Sequence, residues 1–150
     1  MDVLCRARNF INGRAFLDTN ILIYAYDHDA GAKHDYAGQI VRRLFETATG
    51  CLSTQVLQEF CENARRGNRT FSAQKLREWV GIFLQWHVVV NNADSVITAL
   101  TFEERYQISF WDALIVQAAQ VSGAEILYSE DLNHGHWYGS VRVVNPFLPE

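Results

Sequence analysis

Short apolar runs alternate along this chain with longer stretches in which apolar residues recur every three or four positions. Residues 14–26, RAFLDTNILIYAY, set the pattern: an apolar run ends at Asp18, the polar pair Thr19 and Asn20 follows, and a second apolar run continues to Tyr26. The first run reads as a buried strand and the second as a helix, with Thr19 or Asn20 as its N-cap. Residues 27–33 read as a loop. Residues 34–48 read as a helix, with Ala37, Ile40, Val41 and Leu44 in helical spacing and Gly50 as the stop. A short strand over 51–53 precedes a helix over 55–66, capped by Thr54 and closed by Gly67. Ser72 caps a further helix over 73–86, and the β-branched run 87–90 is a strand. Helices follow over 93–106 and 110–121, then a strand over 125–128, a polar loop over 129–139 and a last strand over 141–144. Strands alternating with helices, several of them continuously apolar, indicate a parallel sheet covered on both faces. The reading is one α/β domain over 14–150, with residues 1–13 as a lead-in lacking periodicity.

Composition narrows the picture. The 150 residues are 49% hydrophobic and 20% charged, which suits one folded domain with a real core. A net charge of −4 argues against gripping nucleic acid by bulk positive charge, yet it leaves open a nuclease whose acidic centre recruits metal ions. Arg65, Arg66 and Arg69, with Lys75 and Arg77 beyond, form a local basic run that reads best as a solvated helix end. Cys5, Cys51 and Cys61 contain no CxxC pair and are odd in number, which fits a reducing compartment. No apolar stretch has the length of a signal peptide core or a membrane span, so a cytoplasmic protein without membrane contact is expected.

Four acids then stand out. Asp18 ends the first strand, where ligands gather in parallel α/β sheets; its simpler reading is an Asp favoured by a helix dipole. Glu59 falls off the apolar stripe of Val56, Leu57, Phe60, Cys61 and Ala64, and alone it reads as a surface Glu. Asp112 has capping-box spacing from Ser109, but it begins a helix that is apolar nearly all round. Asp131 follows another strand end, where loop Asp is common. Strand ends near 18, 53 and 128 can share one sheet edge, and there the four acids can converge. Clustered carboxylates share protons or hold a hard cation such as Mg2+ or Mn2+. Thr19, Asn20, Ser53, Ser129 and Asn133 are short polar groups able to support its water shell or a phosphate oxygen. Gly-rich phosphate loops and a GxSxG elbow are absent, and His134 with His136 lacks nearby cysteines for zinc.

The phrases FLDTNILIYAYD, LSTQVLQEF, FWDALIVQAA and ILYSEDLNHG, followed by VRVVNPF, together resemble a PIN-domain protein, most closely the VapC-type toxins of bacterial toxin–antitoxin pairs. The resemblance runs in order over 14–148. It implies a three-layer α/β/α sandwich around a parallel sheet and a Mg2+- or Mn2+-dependent endoribonuclease using one or two ions, the toxin of a type II pair. It places the family's acidic cluster on Asp18, Glu59, Asp112 and Asp131, with Asp18, Asp112 and Asp131 as metal ligands and Glu59 completing the shell or positioning water. Asn20 and Ser129 match its supporting polar positions, and Asn133 replaces a possible further carboxylate. The resemblance further implies a homodimer, an RNA substrate and an antitoxin covering the acidic pocket. The alternative is a non-catalytic PIN-like module that binds RNA or protein.

Overall fold

The computed structural model describes residues 13–66 and 71–149. Strand β1 (Ala15–Leu17) is entirely buried and leads through Asp18 into helix α1 (Thr19–Tyr26). A short 3₁₀ turn (His28–Ala30) and Gly31, at φ 62°, connect to α2 (Ala32–Thr47). The segment read as a loop over 27–33 therefore holds this turn and the first residues of α2. Helix α2 buries Ala37, Ile40, Val41 and Leu44 along one side. It ends with Ala48 in the left-handed region at φ 56°, not at Gly50. Gly50 instead opens β2 (Gly50–Ser53), where a Cβ would stand 2.3 Å from Cε3 of the buried Trp86. Close approach of a ring, rather than helix termination, is what requires glycine there.

Helix α3 (Thr54–Ala64) follows directly, capped by Ser53, whose Oγ accepts from the Val56 N–H at 3.3 Å. Thr54, expected as the cap, instead accepts from the Asn91 N–H at 3.3 Å. Gly67 and Arg69 lie outside the described residues, as do Cys5 and all of the lead-in except Gly13. Ser72 caps α4 (Ala73–Phe83), which closes three residues earlier than its apolar pattern suggests. Strand β3 (His87–Val89), helix α5 (Ala93–Tyr106) and helix α6 (Phe110–Val121) come next, then β4 (Ile126–Tyr128).

The polar loop expected over 129–139 contains a further strand, β5 (Trp137–Tyr138), hairpinned to β6 (Val141–Val144) with Tyr138 opposite Val141. Gly139, at φ 61°, and Ser140 make the two-residue turn.

The sheet order is β3-β2-β1-β4-β6-β5, parallel except for the β5–β6 hairpin, and helices flank it in a three-layer α/β/α arrangement. From β1 the chain builds outward to β2 and β3 on one side, then returns through α5 and α6 to place β4 on the other. This reversal puts a crevice at the carboxyl ends of β1 and β4. Leu17 pairs with Tyr128, and the Asp18 N–H donates to the Tyr128 carbonyl at 3.0 Å, so Asp18 and Ser129 leave the sheet side by side. Among the described residues no helix is long and apolar enough to cross a membrane.

Candidate active site

At the carboxyl edge of the sheet, a cleft of about 290 Å³ is walled by residues from four separate segments. Asp18, Thr19 and Asn20 come from the β1–α1 junction, Gln55, Glu59 and Asn63 from α3, Trp111, Asp112 and Ile115 from α6, and Asp131 from the turn after β4. The four acids singled out in the sequence thus face one hollow.

Asp18 is buried and is itself the N-cap of α1: its Oδ1 accepts from the Thr19 N–H at 2.7 Å. Because the carboxylate takes that task, the side chains of Thr19 and Asn20, the expected caps, are free for other partners. Thr19 Oγ1 donates to Glu59 Oε2 at 2.5 Å, and Asn20 Nδ2 donates to Asp131 Oδ2 at 3.0 Å. Asp18 Oδ2 accepts from Ser129 Oγ at 2.8 Å. Burial pushes the Asp18 carboxyl up to about 7; the bonds from Ser129 and Thr19 oppose the rise, and the charges of Asp131 and Asp112 add to it.

Glu59 is half-buried rather than a free surface residue. Its second oxygen accepts from Gln55 Nε2 at 3.0 Å, and the same amide group reaches the Trp111 carbonyl at 3.3 Å. Gln55, Glu59 and Asn63 recur every four residues and form one polar stripe along α3. That spacing is the signal by which Gln55 and Asn63 were findable from sequence.

Asp112 uses half of a capping box: its N–H donates to Ser109 Oγ at 3.1 Å. Among the described residues nothing donates to its carboxylate, which is left to line the cleft. Asp131 stands at the open rim. Withdrawal from water raises its carboxyl, Asp112, Glu130 and Glu59 raise it further, and Lys33 holds it back. Glu130 points away from the cleft, paired with Lys33 Nζ at 2.8 Å and accepting from the Tyr24 hydroxyl.

Ser53 and Asn133 do not line the cleft. The Ser53 hydroxyl is buried at the α3 cap, and Asn133 is an exposed residue of the loop beyond Asp131. His134 Nδ1 accepts from the Asn145 N–H at 3.0 Å. Arg66 pairs with Glu62 at 3.1 Å across one exposed helical turn, the solvated helix end expected of that basic run.

Every hydrogen bond reaching the four carboxylates comes from a neutral donor, and among the described residues none of the four takes part in an ion pair. Among the described residues, negative charge is therefore concentrated here with no cation in contact with it, Lys33 acting on Asp131 only through its charge. An all-oxygen donor set with unfilled lone pairs on Asp112 fits a hard divalent cation. Among the described residues no three acidic, His or Cys groups are close enough together to hold a metal ion.

The family model described as PIN domain matches residues 15–136. No curated protein matches the chain by sequence. Among solved structures, a toxin–antitoxin complex from Klebsiella pneumoniae aligns at TM-score 0.62 and 21% identity, covering 89% of this chain and 98% of that one. The DNA-bound VapBC of Salmonella typhimurium aligns at TM-score 0.60 and 18% identity over 87% of this chain and 96% of its own. VapC20 of Mycobacterium tuberculosis, described as a sarcin–ricin loop cleaving toxin, aligns at TM-score 0.56 and 22% identity over 75% and 86%. At these identities the likeness is one of fold.

Proposed function

Because this chain belongs to the PIN-domain family, we propose that it is a divalent-metal-dependent endoribonuclease and the toxin of a type II toxin–antitoxin pair. The observation that carries the proposal is the convergence of Asp18, Glu59, Asp112 and Asp131 on one cleft with only neutral donors around them. A set of unneutralised carboxylates is costly to maintain in a module that only binds, whereas a phosphodiesterase needs it.

Asp18, Asp112 and Asp131 would hold Mg2+ or Mn2+. When bound, the ion supplies a counter-charge for the phosphodiester and a nucleophile near neutral pH. Glu59, fixed between Thr19 and Gln55, orients the attacking water by accepting its hydrogen bond. Ser129 keeps the Asp131 turn against Asp18, and Asn20 aims the Asp131 carboxylate. RNA in single-stranded or loop form suits a recessed site, since its backbone can be drawn in. By analogy with the toxin–antitoxin complexes that share the fold, the chain pairs with a cognate antitoxin; the homodimer is what the family resemblance implies.

The test is incubation of the purified protein with structured RNA and Mn2+, alongside the Asp18→Asn, Asp112→Asn and double variants and an EDTA control. Metal-dependent cleavage lost in the double variant is expected. Equal cleavage by wild type and double variant would end the assignment, and RNA binding without cleavage by wild type would favour the non-catalytic module.

A further inference from the structure

The geometry points to Trp111 as the platform on which a nucleobase stacks beside the phosphodiester held over the acids, an inference that rests on reading the cleft as a ribonuclease site. Trp111 adjoins Asp112 in the first turn of α6 and lines the cleft, yet the residue is left 64% exposed. The other tryptophans are placed differently. Trp79 packs on Tyr26, Trp86 is buried against Phe83 and Phe45, and Trp137 is exposed but on β5, outside the cleft lining.

The backbone of Trp111 is anchored to α3, and its ring rests against one neighbour. Its carbonyl accepts from Gln55 Nε2 at 3.3 Å, and its ring meets Phe110 edge-on at 5.5 Å between centroids. Gln55 is 6% exposed, and its amide orientation is set by chemistry. Both neighbours, the Glu59 carboxylate and the Trp111 carbonyl, are acceptors, so the NH2 group must face them. Gln55 Oε1 is consequently left buried without a partner among the described residues. A buried acceptor left unpaired is unfavourable, and here it accompanies the bond that ties the backbone of the residue bearing the exposed indole to the acid-bearing helix α3.

The acidity of the cleft limits what this ring can receive. A phosphate is repelled from the carboxylates unless a cation intervenes, whereas a base is neutral, planar and matched to the π-face of an indole. Asp112 is half-buried and Trp111 stands at the lip, so the ring serves the nucleotide flanking the one over the acids. Stacking of this kind tolerates any base, because each has a π-face, and it needs that base unstacked from its neighbours. Trp111 thereby selects unpaired RNA without selecting a letter.

The experiment measures binding of short fluorescein-labelled single-stranded RNA to the full-length protein with Ca2+ as supporting ion, the RNA being checked for integrity afterwards. Trp111→Phe, Trp111→Leu and Trp111→Ala are compared with wild type, and an abasic nucleotide is stepped along the RNA. Trp111→Ala is expected to weaken binding about fivefold to about a hundredfold, with Phe retaining most of the affinity and Leu little. One abasic position should abolish the difference between wild type and Trp111→Ala. Thermal unfolding of the variants should match wild type, since the side chain is largely in solvent.

Affinity unchanged in Trp111→Ala, Leu equal to Phe, or no abasic position that couples to the ring would each overturn the proposal. If wild type cleaves RNA and Trp111→Ala binds it equally well, the platform alone is lost. If wild type neither binds nor cleaves RNA, the ribonuclease reading falls with it. RNA affinity unmoved by Trp111→Ala, together with Trp111-dependent binding of an arginine-rich peptide, would assign the ring to a protein partner instead.

Discussion

The hydroxyl of Ser129 lies 2.8 Å from Asp18 Oδ2, donating its single proton to a carboxylate that sits at the other end of the chain sequence. Both of its acceptor positions are also used, by the N–H groups of Asp131 at 3.2 Å and Leu132 at 3.4 Å. One fully buried side chain therefore couples the strand-end acid to the turn that carries its partner acid. Ser129→Ala should cost about 1–3 kcal/mol of stability by stranding these buried groups. It should also weaken Mn2+ binding by releasing the Asp131 turn. Calorimetric unfolding and a Mn2+ titration check the two effects; loss of stability with unchanged Mn2+ affinity would show that Ser129 serves the fold alone.

The raised Asp18 carboxyl has a definite consequence for pH. Its folded value of about 7 lies above the ordinary 3.8, so between these values the native chain binds more protons than the unfolded chain. Stability of the metal-free protein should therefore fall as pH rises through that window. Asp18→Asn should flatten the fall and should be more stable than wild type at pH values above it. Because a cation competes with the same proton, Mg2+ should stabilise wild type increasingly as pH rises. Urea titrations across the pH range, with and without Mg2+, measure this; a wild-type curve that rises with pH would contradict it.

Lys33 stands behind Asp131, paired with Glu130 and held over the rings of Tyr24 at 4.9 Å and Phe147 at 5.4 Å. Burial and the neighbouring acids raise the Asp131 carboxyl, and the Lys33 charge partly offsets that rise. Lys33→Met should let that carboxyl rise, moving the acid limb of the pH–activity profile toward higher pH. The shift should shrink in high salt, since the lysine is partly solvated. A profile unchanged at low salt would dissociate Lys33 from the site.

Gly50 tests the fold separately from the chemistry. Gly50→Ala drives a methyl group into the Trp86 ring and should destabilise the protein by about 1–3 kcal/mol. Pairing it with Trp86→Leu should recover part of the loss, while Mn2+ affinity stays unchanged in both, because this contact lies at the start of β2 and the acids at the opposite end of the sheet. Thermal unfolding of the single and double variants reads the coupling; strict additivity would mean the clash is relieved elsewhere.

Most of the fold was legible because its elements carry strong local signals. Helices α5 and α6 were predicted with the bounds they have: apolar spacing marks both, and the polar cap at Ser109 marks the start of α6. Caps at strand ends were displaced by one or two residues at Asp18 and by one at Ser53, where one side chain both ends a strand and starts a helix. Strand β5 has only two residues, too few for any periodicity, and only Gly139-Ser140 between Tyr138 and Val141 marks the hairpin. The acids stood out jointly rather than singly, and Thr19, Asn20 and Ser129 were legible as polar groups beside them, but which acid each one reaches was not. Thr19 bonding Glu59 and Gln55 bonding Trp111 depend on how α1, α3 and α6 are set against one another, a tertiary relationship with no counterpart in local sequence.

If acids from distant parts of the chain act together as one cation site, each of them must contribute to the affinity for the ion. A Mn2+ titration followed by electron paramagnetic resonance, on wild type and on Asp18→Asn, Asp112→Asn and Asp131→Asn, tests it most directly. Wild type should bind Mn2+, and each variant should bind at least about tenfold more weakly while remaining folded. Equal affinity in all four proteins, or no binding by wild type, would contradict it.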